Sequence, residues 1–145
     1  MTGGSLDQER TMAVIAKTSS LRPGPVRGTF IAEARAWKGV VPAVGERAFV
    51  WTPETKRGEG LARRGDVVNV HPTQSGEIRL TIRSDGRWVI APLRMADLAP
   101  YREVRDGSPL ALLSEKLYYH THEKIAALSA EEEAFLNTRF GWERP

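Results

Sequence analysis

An α+β domain is predicted by three observations: short β-prone runs fill the chain as far as Ala91, two capped helical segments close it, and nowhere do strand and helix alternate as in a doubly wound sheet. A length of 145 residues suits one domain with or without a tail. With 41% hydrophobic residues, such a chain can bury an adequate core without covalent staples.

Residues 1–28 have no sustained periodicity. TGGS, TSS and LRPGPVRG surround a single apolar cluster, Met12 to Ala16, so a flexible N-terminal arm is expected ahead of a domain spanning residues 29–145; a short strand in VIAKTSS is the alternative. From Thr29 to Trp37, Phe30, Ala32, Ala34 and Ala36 alternate with Ile31, Glu33, Arg35 and Trp37, the period of a half-buried strand, although the alanines and glutamate leave helix open. Gly39 to Val44 is a turn. Ala48 to Trp51 is a second β-prone run, ending at Thr52 and Pro53. The loop ETKRGEG then carries two glycines and two cations, and a strand resumes from Leu61 to Val70, with Gly65-Asp66 reading as a bulge or tight turn midway. Glu77 to Ile82 alternates cleanly and is expected to form a hairpin with Trp88 to Ala91 through Ser84-Asp85-Gly86. Pro92 ends that strand, and Leu93 to Leu98 makes a single helical turn.

Two helices close the chain. The first has Ser108 as N-cap and Pro109 at its first position, with Leu110, Leu113, Leu117, Thr121, Lys124 and Leu128 recurring at helical spacing. The second opens on a capping box, Ser129 with Glu132 three residues on, and runs through Ala134 and Phe135 to Phe140, where Gly141 stops it.

The central stretch resembles a known signature. Val44, Gly45 and Glu46 lead into Ala48, Phe49, Val50 and Trp51; a polar loop from Thr52 to Glu59 follows, and then Gly60, Leu61 and Ala62 enter the next strand. This phrase is similar to that of the EVE family, a branch of the PUA-like fold, over about the middle half of the chain. The resemblance implies a PUA-like twisted, mostly antiparallel sheet curled into a partial barrel, with the two C-terminal helices packed on it. It also implies a pocket framed by the first strand, the central aromatic strand and the glycine segment, which in this chain marks Trp37, Trp51, Thr52, Gly60, Leu61 and Ala62. The chain departs from EVE domains at Lys38 to Ala43, which is short and lacks the aromatic and asparagine residues typical there. A pocket wall is then missing, or it is supplied from elsewhere, by the N-terminal arm or the face from Tyr118 to His122.

Charge and composition narrow the chemistry. The net charge is +3, and it is uneven: residues 1–43 carry 6 basic and 3 acidic side chains, residues 44–105 carry 11 and 8, and residues 106–145 carry 4 and 7. The positive excess surrounds the glycine loop and favours nucleic acid, DNA or RNA, as the partner. Lys56, Arg57, Arg63 and Arg64 are the candidate phosphate contacts, because cations neutralise phosphates while aromatic faces hold bases. Leu117, Tyr118, Tyr119 and His120 cannot all face inward on one helix, which adds Tyr118 to the candidate pocket.

No enzyme, metal site or cofactor is expected. There are no cysteines, which fits a reducing compartment, and His120 and His122 point roughly 200° apart on a helix. No Gly-x-Ser-x-Gly elbow or phosphate loop occurs, and Glu131, Glu132 and Glu133 suit the first turn of a helix. No apolar run approaches the roughly 18 residues of a membrane span, so the chain reads as cytoplasmic. The expected function is a non-catalytic reader that binds nucleic acid and accepts a flipped base, such as a methylated cytosine, between Trp51 and Trp37 and against the backbone of Gly60 to Ala62. The alternative is a small-ligand or protein-interaction module on the same fold, with the tryptophans in the core. A hydrolase built on His120 and nearby acids is a weaker third reading.

Overall fold

The structure, a computed structural model, describes residues 13–119 and 122–143. Its strands are β1 (Ala13–Lys17), β2 (Arg22–Pro23), β3 (Thr29–Ala36), β4 (Arg47–Thr52), β5 (Gly60–Pro72), β6 (Ile78–Ser84), β7 (Trp88–Val89), β8 (Lys124–Leu128) and β9 (Phe140–Gly141). Its helices are α1 (Met95–Leu98), α2 (Pro109–Ser114) and α3 (Ala130–Asn137), and a π-helical turn over Glu115–Tyr119 prolongs α2.

The main sheet runs β2-β3-β6-β5-β4-β1-β8, and β8 also pairs with β3, so six strands close into a barrel. Two pairs are parallel, β1 with β4 and β3 with β8; the others are antiparallel. This is the α+β architecture the sequence predicts, with the curled sheet fully closed. Side-chain alternation divides the interior. Val14, Ala16, Ala48, Val50, Leu80, Ile82 and Ile125 fill the barrel. Ile15, Phe49, Trp51, Ala126 and Leu128 point outward from the same strands and are buried under Leu98, Leu113, Leu117 and Leu136 of the helical layer.

Four expectations are corrected. Residues 13–28 are not an arm: β1 lies between β4 and β8 with all five residues buried, while residues 1–12 fall outside the described residues. The strand offered as the alternative within VIAKTSS is the one that forms, over Ala13–Lys17; covered on both faces, it carries no alternation to announce it. The predicted first C-terminal helix ends at Tyr119, and Lys124–Leu128 is the strand that closes the barrel; its apolar run serves both faces and so matches helical spacing equally well. Third, β6 pairs with β3 and β5 rather than with Trp88–Val89, which pairs instead with Phe140–Gly141, the residues expected to end the last helix. Fourth, Gly65 and Asp66 make no turn. They sit in register within β5, which bulges at Ala62 and at Val68. Glycine is required at 65 because a Cβ there would lie 2.2 Å from the Arg83 carbonyl oxygen across the sheet.

The capping box forms as its sequence implies. Ser129 Oγ accepts from the Glu132 amide at 3.1 Å, and Glu132 Oε1 accepts from the Ser129 amide at 2.8 Å. Lys116 Nζ reaches the same carboxylate at 2.7 Å, tying α3 to the π-helical turn.

Candidate nucleic-acid interface

The glycine loop is an internally hydrogen-bonded turn whose side chains at Glu54 to Arg57 stand in solvent. After Pro53 a 3₁₀ turn (Glu54–Lys56) is closed by amide donation from Lys56 and Gly58 to the Pro53 carbonyl, at 3.0 and 2.8 Å, and from Glu59 to Thr52 Oγ1 at 2.8 Å. Glycine is obligatory at 58, where a Cβ would stand 2.3 Å from the Thr52 carbonyl oxygen. Folding the loop back on Thr52 leaves Lys56 and Arg57 exposed at its rim. The bulge at Ala62 then keeps Arg63 on the solvent side and turns Arg64 inward.

These residues converge on one cavity of about 270 Å³, lined by Thr52, Lys56, Arg57, Ala62 and Arg63 together with Pro53, Gly58 and Glu59. The remaining wall is Ser19 and Leu21. Glu123 holds it in place, accepting from the Ser19 amide at 2.9 Å and from Ser19 Oγ at 2.7 Å. Sequence reasoning missed Ser19 and Leu21 because the stretch containing them read as an arm.

The other candidate residues lie elsewhere. Trp51 is fully buried beneath the loop and lines a smaller cavity of about 80 Å³ with Lys17, Pro53, Glu54, Thr55 and Met95. Its indole Nε1 has no hydrogen-bond partner among the described residues. At Gly60 and Leu61 the backbone is committed internally: the Leu61 amide donates to the Leu93 carbonyl at 3.0 Å, and a Cβ on Gly60 (φ +80) would stand 2.5 Å from that same oxygen. That segment docks the loop onto the approach to α1. Trp37 is half-buried with the ammonium groups of Lys38 and Lys124 over its ring, 4.5 and 5.2 Å from the centroid, and it lines a separate cavity with Glu115 and Lys116. Tyr118 packs against the outer core beneath the Arg102 guanidinium. Arg64 is buried, its Nε 2.6 Å from Asp85 and its Nη1 donating to Asn137 Oδ1 at 2.8 Å, and so lies away from the cationic rim.

Two lysines are buried next to this region. Lys17 and Lys124 face each other across β1 and β8 on the side covered by helices. Their ammonium groups donate to the carbonyls that the π-helical turn presents, Lys17 to Leu117 at 2.8 Å and Lys124 to Lys116. Burial depresses both; Lys124, with Lys17 beside it, titrates at about 8 instead of 10.5. Between those values the unfolded chain binds more protons than the folded one, so this lysine makes stability rise with pH from 8 toward 10.5; the gain is lost again as pH falls through 8. Urea unfolding at pH 7.5 and 9.5 is expected to show a gain of which Lys124→Met removes about 2 kcal/mol. An equal gain in the variant would rule the lysine out as its source.

Among the described residues, no three His, Cys, Asp or Glu side chains converge as a metal site. His122 is exposed, and His120 lies outside the described residues.

No family model matches the chain, and no curated protein matches it in sequence. Among solved structures, the chain is similar to the human THYN1 protein, determined in complex with DNA containing 5-methylcytosine. The two share 16% identity over 88% of this chain and 96% of that one, with a TM-score of 0.59. The fold is PUA-like. The PUA-like barrel accounts for the placement of the cavity, at the strand ends where the β4–β5 loop and the chain after β1 meet. No helix among the described residues is long and apolar enough to cross a membrane.

Proposed function

We propose that this PUA-like domain binds nucleic acid without catalysing a reaction on it, and that the cavity at the glycine loop receives an extruded base, with methylated cytosine the first candidate. The observation that carries this reading is the convergence of Lys56, Arg57 and Arg63 on a cavity of about 270 Å³ with Thr52 and Ala62 in its wall. Three exposed cations supply the sequence-independent attraction to phosphates, and a concave site among them gives one nucleotide a place outside the stack. The human protein of similar fold was solved with methylcytosine DNA, which makes that base the one to try first. Trp51 does not line this cavity; it is buried beside the smaller one and offers no open stacking face, so the apolar contact in the cavity falls to Leu21, Pro53 and Ala62.

The test is binding of single- and double-stranded oligonucleotides, with and without 5-methylcytosine, across a salt series. Affinity is expected to fall with salt, and Lys56→Ala/Arg57→Ala/Arg63→Ala together are expected to flatten the log–log slope by about 2–3, each phosphate contact contributing about 0.7–0.9. A preference for the methylated probe supports the base-accepting cavity; salt-dependent binding without it leaves only the cationic surface. No binding at low salt removes nucleic acid and leaves the small-ligand or protein-interaction module.

A further inference from the structure

The β7–β9 ribbon and its flanking residues expose three large apolar side chains close together. Trp142 is 66% exposed, Trp88 42% and Ile90 47%. This is not fraying. Trp88 pairs with Gly141 and Val89 with Phe140, the Ile90 and Ala91 amides donate to the Arg139 carbonyl, and Phe140 packs on Phe49 with ring centroids 5.9 Å apart. A Cβ at Gly141 would stand 2.8 Å from Ile90 Cδ1, so the strands approach closely and hold their side chains outward. An ordered element that presents two indoles to water is built for contact.

Charge indicates the kind of contact. The Arg87 guanidinium lies 4.8 Å from the Trp142 ring centroid, and its Nε is buried with no acceptor among the described residues. Arg87 and Trp88 line a second cavity of about 270 Å³ with Ser84, Gly86, Val89, Ala62 and Arg63, and no carboxylate lines it. Ala62 and Arg63 also line the cavity at the glycine loop, so the two depressions flank Arg63. A partner that is anionic along its length and carries flat aromatic faces fits this run of cation, cavity, cation and indole. An apolar protein surface would leave Arg63 and Arg87 unpaired.

We infer that the β7–β9 ribbon is a stacking platform for an unpaired nucleotide, with Trp142 and Trp88 holding bases and Arg63 and Arg87 the phosphates between that platform and the glycine-loop cavity. The inference rests on the nucleic-acid reading above and adds a second contact region to it.

The test uses the full chain with a labelled twelve-nucleotide deoxythymidine strand and the matching blunt duplex. Removing one base–aromatic stack is expected to weaken binding about 5- to 100-fold, so Trp142→Ala and Trp88→Ala should each do so on the single strand, while the salt slope stays that of the unsubstituted protein. Trp142→Phe should restore most of the affinity, and Arg87→Gln should weaken binding and flatten the slope. A melting temperature within a few degrees of the parent is expected for Trp142→Ala, whose ring is mostly in water. Salt-dependent binding by the parent that both alanine variants reproduce unchanged would overturn this inference and leave the glycine-loop reading standing. Absence of binding by the parent would overturn both.

Discussion

Replacing Trp51 by alanine is expected to lower the stability of the domain by about 3–5 kcal/mol, measured by urea unfolding. The side chain is fully buried between the barrel wall and the helical layer, beside Phe49, Leu98, Leu113 and Leu117. Those neighbours belong to separate elements, one barrel strand and three helical segments, each held by its own packing, so they collapse only partly into the space the ring vacates. Trp51→Phe keeps most of the volume and removes an indole N–H that has no partner among the described residues, so its cost is expected to be only about 1–2 kcal/mol. The contrast governs how binding data are read: loss of binding in Trp51→Ala reports unfolding, while the phenylalanine variant tests the cavity. A cost below about 1 kcal/mol for the alanine variant would be incompatible with this packing.

Asp85→Ala is expected to cost about 2–4 kcal/mol. Its carboxylate accepts from Arg47 Nη1 at 2.7 Å, lies 2.6 Å from Arg64 Nε and accepts from the Arg87 amide at 3.1 Å, joining β4, β5 and the turn after β6. Arg64 is only 7% exposed, and burial together with the neighbouring Arg47 holds it below the ordinary arginine range. Without Asp85 that charge is left in a poorly solvated site among other cations. The loss therefore reflects a stranded guanidinium more than the worth of the pair. Adding Arg64→Met to Asp85→Ala is expected to recover part of the stability, since an apolar side chain of similar length needs no counter-charge. A double variant no more stable than the single one would assign the loss to the turn instead.

Local chemistry was legible in advance wherever it acts over a few residues. Ser129 and Glu132 announce their helix because a capping box is complete within four positions, and Ser108-Pro109 does the same. Thr29–Ala36 and Ile78–Ser84 could be read because alternation marks one covered and one wetter face. The loop cations Lys56, Arg57 and Arg63 were legible as a group because they flank one glycine segment. Elements covered on both faces were read poorly: Ala13–Lys17 lacks alternation and was legible only as an alternative to an arm, and Lys124–Leu128 satisfies helix and strand spacing alike. The β7–β9 pairing was also hidden, since it joins residues about fifty apart with two on each side.

The amino-acid sequence by itself determined the class of the fold, the order of most strands, the start of both capped helices and the cationic glycine loop. Only the tertiary structure decided which aromatic faces which way. On β4, Ala48 and Val50 take the barrel interior while Phe49 and Trp51 take the helical side, and both faces of the strand are dry. It likewise separated Arg63 from Arg64, neighbours of the same chemistry, by a one-residue bulge that sends one to the cavity and the other to Asp85. The physical reason is that periodicity tells two faces of a strand apart but does not say what covers each. That is settled by pairings between distant segments, which leave little trace in any short stretch of sequence.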